Sequence, residues 1–256
     1  MSRAVIVTGA ARGLGLGIAQ RLHSDGFAVA LVDMTQDVVQ VADSFDQSQS
    51  LARGFVLDVS DPQSCVDTVN LIVEQFPNLV GLVNNAGIGG PSTVVHQTDP
   101  AAFRRVIDVN LVGPFQMVRA CVPHMQNHGH GASIVNITSI LGQQAAAGTG
   151  PYSASKGGLA LLGQSMAMEL AESGIRVNSI APGNMLTVMH EEHVKWLADS
   201  QDITYDEALT QVRTTIPLGR HGTPADIANT VAWLMSDDSS YVTGQTINVN
   251  GGVILS

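Results

Sequence analysis

Tyr152 and Lys156 stand four residues apart, and Ser139 lies thirteen residues upstream of the tyrosine. On a helix the tyrosine and the lysine share one face, one turn apart. A lysine ammonium beside a phenol favours the phenolate, and a tyrosine ordinarily ionises near about 10. Brought down toward neutrality, Tyr152 becomes a usable general acid or base. The Ser139 hydroxyl could hold a substrate oxygen beside the phenol. The three together make a device for moving a proton on and off a carbinol or carbonyl oxygen. Alone the pair is weak, because Tyr-x-x-x-Lys also arises on exposed helix faces.

A framework must carry these residues, and the apolar pattern supplies one. Short apolar runs bounded by turn residues read as strands over Ala4–Thr8, Ala28–Asp33, Phe55–Asp58, Leu79–Asn84, Ile134–Thr138, Arg176–Ile180 and Thr246–Val249. Several are nearly all apolar and β-branched, as strands buried on both faces of a parallel sheet require. Stretches of helical period lie between them; Leu14, Ile18 and Leu22, for example, are spaced by four and closed by Asp25-Gly26. Strand–helix alternation along the whole length predicts a doubly wound α/β fold with helices on both faces. No repeat or linker interrupts it, so one domain is expected over residues 1–256.

The turn after the first strand reads Thr8-Gly9-Ala10-Ala11-Arg12-Gly13-Leu14-Gly15 and opens the first helix. Glycines there let backbone amides approach a pyrophosphate, whose charge suits a helix N-terminus. Asp33 ends the second strand, eighteen residues beyond Gly15. A carboxylate at that place can bind both ribose hydroxyls and repels a 2′-phosphate, favouring NAD over NADP. Arg12 pulls the other way, since a guanidinium could accept that phosphate. Asp58-Val59 could hold an adenine, carboxylate to the exocyclic amine and backbone to the ring. Asn84-Asn85-Ala86-Gly87 closes the fourth strand with small residues that would line a cofactor cleft. Asn110 falls inside a long helical stretch, where asparagine is a poor former and can distort the ladder and hold a water.

Composition narrows the class further. A formal charge of −10 without Lys/Arg clusters argues against a nucleic-acid surface. The longest apolar runs are far too short to span a bilayer, and no signal-length segment opens the chain, so a soluble cytoplasmic protein is expected. Cys65 and Cys121 form no Cys-x-x-Cys pair and read as reduced, half-buried thiols. His190-x-x-His193 and His124-x-x-x-His128-x-His130 have metal-like spacings but no fixed carboxylate or thiolate partner, so no metal is expected.

In this order and spacing the chain resembles the short-chain dehydrogenase/reductase family over essentially its whole length. The carriers are Thr8-Gly-x-x-x-Gly-x-Gly15, Asn84-Asn-Ala-Gly87, Asn110, Ser139, Tyr152-x-x-x-Lys156, and Pro182-Gly183 with Thr187. The resemblance implies a Rossmann-type sheet of seven mainly parallel strands and hydride transfer at the nicotinamide C4. Tyr152 would be the acid/base and Ser139 would orient the substrate oxygen. Lys156 would lower the tyrosine pKa and bind the nicotinamide ribose, while Asn110 would hold a proton-relay water. Pro182, Gly183, Met185 and Thr187 would lie along the nicotinamide and its phosphate. The family's dimer contacts usually fall on the helices around Asn110–Met125 and Tyr152–Glu172, and a homotetramer, or else a homodimer, is expected.

Substrate choice belongs to the loops beyond the carboxyl ends of the strands. Those are Gly89–His96, Ile140–Pro151 and a long insertion from Asn184 to Pro217, placed as a lid. Ser139, Gln144, Tyr152, Asn184 and His190 are the expected substrate contacts, and Met185, Met189 and Trp196 read as lid packing. Such hydrogen bonds suit a polyol better than an acyl chain. Gly183-Asn184-Met185-Leu186 and Ile216-Pro217-Leu218-Gly219-Arg220 resemble the family's sorbitol-type polyol dehydrogenases. Lys195 and Arg213 are offset by Glu191-Glu192, which favours an unphosphorylated polyol, oxidised to a ketose with NAD. The alternatives are acetoin/diol or 3-oxoacyl-thioester reduction, and, in a different class, a non-catalytic dinucleotide-binding regulator.

Overall fold

The computed structural model describes residues 2–46, 48, 50–126 and 131–255, and of Met189 and His193 only the backbone. Seven strands form one sheet: β1 (Ala4–Thr8), β2 (Ala28–Asp33), β3 (Ala52–Val56), β4 (Leu79–Asn84), β5 (Ala132–Ile137), β6 (Ile175–Pro182) and β7 (Thr246–Val249). Their order is β3-β2-β1-β4-β5-β6-β7, and every pairing is parallel. The connecting helices are α1 (Gly13–Ser24), α2 (Asp37–Phe45), α3 (Pro62–Gln75), α4 (Pro100–Ile107), α5 (Gly113–Gln126), α6 (Gly150–Leu170), α7 (Val188–Gln201), α8 (Tyr205–Thr214) and α9 (Pro224–Met235).

Successive strand residues point to opposite faces, and the buried side chains sort accordingly. Ala4, Ile6, Ala28, Ala30 and Val32 join Cys65, Val69, Met117 and Met166 of α3, α5 and α6. Val5, Val7, Val29 and Leu31 join Ile18 and Leu22 of α1, Val38 of α2 and Ile227 and Val231 of α9. The doubly wound α/β architecture expected from the apolar pattern is therefore present. Because β2 and β4 leave β1 on opposite sides, a crevice opens above the carboxyl ends of β1 and β4.

Strand boundaries depart from the sequence reading where a strand is not uniformly apolar. β3 runs over Ala52–Val56 rather than Phe55–Asp58, because it is an edge strand whose register on β2 starts at Val29 opposite Ala52. Its polar and small members, Arg53 and Gly54, hide it from an apolar count. β5 begins two residues earlier than expected, and β6 extends through Ala181 and Pro182.

The insertion is helical, not a loop. α7 and α8 pack on each other through Val194, Ala198, Ala208 and Val212, a small cluster of their own. Asp202 ends α7 in the left-handed region at φ 52°, which a short polar side chain tolerates. Thr204 and Glu207 then form a capping box that starts α8. The two ends of the insertion are tied together: Met185 bridges Gly222, Leu186 N donates to Gly222 O at 2.9 Å, and Gly222 N donates to Asn184 O at 2.9 Å. Of the histidines weighed for a metal, His128 and His130 lie outside the described residues, as does the His193 side chain.

Candidate active site

The glycine turn is built from β1 and held by β4. Thr8 Oγ1 accepts from the backbone N–H groups of Asn85 and Ala86, both at 3.0 Å. Asn85 Nδ2 donates back to the carbonyls of Thr8 and Gly9 at 2.9 and 3.1 Å. Gly13 sits at φ +60° facing open space, while a methyl on Gly15 would collide with the Gly9 carbonyl and the Asn85 amide. Arg12, exposed at the N-cap of α1, gives that helix no side-chain cap. The first-turn amides thus lack a side-chain acceptor and face a glycine cradle, an arrangement that fits a pyrophosphate.

Asp33 lies beside this cradle. Its Oδ2 accepts from Ala11 N at 3.1 Å, and its Oδ1 from Thr35 N and Thr35 Oγ1. These bonds fix the carboxylate at the tip of β2 and leave lone pairs for ribose hydroxyls. Asp58 is engaged more fully than expected: its carboxylate accepts from Ser60 N and Oγ and pairs with Arg105 at 3.2 Å. Those bonds outweigh partial burial and hold its pKa below the usual carboxylate range. Val59, next to it, is buried in the core.

Asn110 occupies a five-residue widened, π-type turn, Asp108–Val112, between α4 and α5. The ladder distortion read from the sequence is there, and it aims the side chain at the β4 loop. Asn110 Nδ2 donates to Ile88 O at 2.9 Å and Ser155 Oγ at 3.1 Å; Ile88 N donates to Asn110 Oδ1 at 2.8 Å. Both amide protons are spent on the protein. A relay water would therefore rest on the remaining Oδ1 lone pair or on a backbone carbonyl released by the widened turn.

α6 presents Tyr152 and Lys156 on one face, as the spacing requires. Lys156 is 4% exposed, and its Nζ donates to Ile137 O at 2.8 Å. Burial pushes its pKa down to about 8. Nζ lies 5.8 Å from the Tyr152 ring centroid, and the Ser139 hydroxyl lies close enough to the phenol to act on its pKa. A side chain on Gly87 would press on both Asn110 Oδ1 and Lys156 Nζ, so the loop after β4 lies against both residues. The expected lowering of the tyrosine pKa by lysine needs correcting for this chain by itself. Burial raises the Tyr152 pKa, and the Ser139 hydroxyl only partly opposes it.

The expected contacts beyond Pro182 divide. Gly183 presses so closely on Asn250 that any side chain there would clash, and Pro182 is buried at the end of β6. Met185 is buried over Gly222, its side chain joining the core with α1 and α9. Thr187 caps α7, its Oγ1 accepting from His190 N at 3.4 Å. His190, expected to meet substrate, stands at the root of the lid. Its ring is buried against that of His221, centroids 4.9 Å apart. Gln144 is exposed on the 140–151 loop, Asn184 is half-buried at the lid root, and Trp196 is half-exposed. Thr8, Ile88 and Ser155 went unassigned in the sequence reading, although Thr8 and Ser155 stand inside quoted motifs. Among the described residues no group of three or more His, Cys, Asp or Glu is placed to hold a metal ion.

A parallel sheet with a glycine cradle at its switch point, and beside it a half-buried tyrosine backed by buried Lys156, Ser139 and Asn110, defines a dinucleotide-linked oxidoreductase. The chain belongs to the short-chain dehydrogenase/reductase family. A family model described as "Enoyl-(Acyl carrier protein) reductase" matches residues 9–254. The chain is 36% identical to the 3-oxoacyl-(acyl-carrier-protein) reductase FabG of Staphylococcus aureus (strain Mu50), covering 100% of this chain and 99% of that one. A solved NAD+-bound xylitol dehydrogenase superposes with a TM-score of 0.91 at 32% identity, covering 98% of each chain. A variant of actinorhodin polyketide ketoreductase with NADPH superposes at 0.93 and 30% identity, covering 98% of this chain and 97% of that one.

Proposed function

We propose that the whole chain is one catalytic domain that oxidises a secondary alcohol of a small polyol to a ketose, reversibly, with NAD. The observation that carries the cofactor preference is Asp33, fixed at the tip of β2 beside the glycine cradle. A negative charge there disfavours a 2′-phosphate. Residues Gly9, Gly13, Leu14, Gly15, Asn85, Ala86, Gly87, Lys156 and Gly183 would hold the dinucleotide. When bound, its nicotinamide takes up or returns the hydride. Ser139 donates to the substrate oxygen, and Tyr152 removes the hydroxyl proton during oxidation and returns it during reduction. Lys156 holds a positive charge near the phenol while its own proton remains. The soluble, cytoplasmic assignment remains part of this reading; among the described residues no helix is long and apolar enough to cross a membrane.

A second reading is reduction of a 3-oxoacyl thioester. The Staphylococcus aureus relative carries that name, and the raised Tyr152 pKa keeps the phenol protonated at neutral pH, ready to donate. On substrate the curated relatives favour this reading over the polyol one. The deciding experiment is initial-rate NAD reduction at alkaline pH across sorbitol, galactitol, mannitol, xylitol, arabinitol, sorbitol 6-phosphate and 2,3-butanediol, with Tyr152→Phe in parallel. The polyol reading expects turnover on one or two sugar alcohols, lost in Tyr152→Phe. Activity only with 3-oxoacyl thioesters and NADPH, or only with butanediol, overturns it. Dinucleotide binding without turnover on any substrate would instead indicate the non-catalytic regulator.

A further inference from the structure

Arg105 belongs to none of the motifs above, yet it closes a ring of polar contacts at the far end of the crevice. Its Nη1 donates to Ser60 Oγ at 2.8 Å, and its Nη2 reaches Asp58 Oδ2 at 3.2 Å. Ser60 Oγ in turn donates to Asp58 Oδ1 at 2.7 Å, and Ser60 N donates to the same oxygen at 2.9 Å. Guanidinium, hydroxyl and carboxylate thus hold each other in one orientation. The Arg105 and Asp58 side chains are 45% and 40% exposed, so the pair adds little to folding. Its effect is on direction: the fork-shaped guanidinium sets which way the Asp58 carboxylate faces.

The position of Arg105 in the chain gives that contact a second end. It lies in the last turn of α4, three residues before the widened turn that carries Asn110. One bridge therefore ties the turn after β3 to the end of α4, next to the widened turn that carries Asn110. We propose that Arg105 is a positioning residue for the adenine end of the dinucleotide, aiming Asp58 and seating α4 against the Asp58–Ser60 turn. This rests on the reading that the Asp58–Val59 turn receives the adenine.

The test is dinucleotide affinity, read by NADH fluorescence and by calorimetry with ADP and with nicotinamide mononucleotide, on wild type, Arg105→Met and Arg105→Lys. Methionine keeps the apolar stem and removes the donors. The proposal expects Arg105→Met to weaken NADH and ADP binding about 5- to 20-fold and to leave nicotinamide mononucleotide unchanged. In turnover, KM for the dinucleotide should rise in step while kcat stays within about twofold, and Arg105→Lys should recover part of the loss. Unchanged ADP affinity, or an equal loss for nicotinamide mononucleotide, overturns the proposal. Asp58→Ala tests the premise: it should weaken ADP binding at least as much as Arg105→Met, and intact ADP binding means the adenine does not rest on Asp58 and overturns the proposal with it. Binding needs no alcohol substrate, so the substrate assignment can fail without touching this result, whereas wild type that binds no dinucleotide sinks both.

Discussion

Lys156 holds an ammonium where almost no solvent reaches it, and the fold bears the cost. Its pKa falls from an ordinary 10.5 to about 8, so the native state sheds this proton earlier than the unfolded chain. Between those values the unfolded state binds more protons, and stability should rise with pH across that window. Below about 8 the penalty is present in full, on the order of 3 kcal/mol from the shift, part of it returned by the bond to Ile137 O. Lys156→Met should therefore abolish turnover while raising the melting temperature by about 2–6 °C at neutral pH. Scanning calorimetry beside an activity assay checks this; a variant that melts lower would contradict it. For Tyr152 the sign is set by the base it must become: oxidation should accelerate as pH rises toward the raised phenol pKa, and reduction should be favoured at neutral pH. At this scale the sequence was most informative, since Tyr152, Lys156, Ser139 and Asn110 announce themselves by type and spacing. It pointed the wrong way on the tyrosine pKa, expecting Lys156 to lower it, because the burial that raises it comes from residues that only the fold brings together.

Helices and strands explain which of the other expectations held. Asn110 could be read as a helix-distorting residue because asparagine is ill suited to a regular turn, and the structure answers with a five-residue π-type turn. β3 was misplaced because an edge strand needs only one apolar neighbour. α7 and α8 were read as a loop, yet Thr204-x-x-Glu207 is a helix-start signature that the sequence displays openly. Removing it offers a clean probe of the lid. Thr204→Ala should cost about 1 kcal/mol locally, loosening α8 without disturbing the glycine cradle. The expected outcome is a several-fold higher KM for the alcohol with unchanged dinucleotide affinity. An equal change in both constants would mean that the lid bears on the cofactor as well.

Across the whole molecule, the strands and the helices on both faces were legible from the alternation of apolar runs, whereas the spatial order of the strands emerges only from the structure. Assembly is the remaining expectation: we propose a homotetramer, with α5 and α6 as one contact face. Leu161 and Met168 of α6 are 66% and 81% exposed, and Phe115 of α5 is partly bare, an apolar display that a second copy would cover. Leu161→Glu combined with Met168→Glu should lower the mass seen in light scattering without unfolding the chain. A mass unchanged by both charges would place the interface elsewhere. The tie between Met185 and Gly222 has a consequence for descent. Chain that departs and returns at one point can be lengthened, trimmed or exchanged without altering the distance between β6 and α9. Doubling such a stretch adds only about 0.6 kcal/mol of closure entropy. Lineages can thus trade this graft while inheriting the sheet, the cradle and the proton device, so new substrates can arise by splicing at the neck rather than by redesigning the frame.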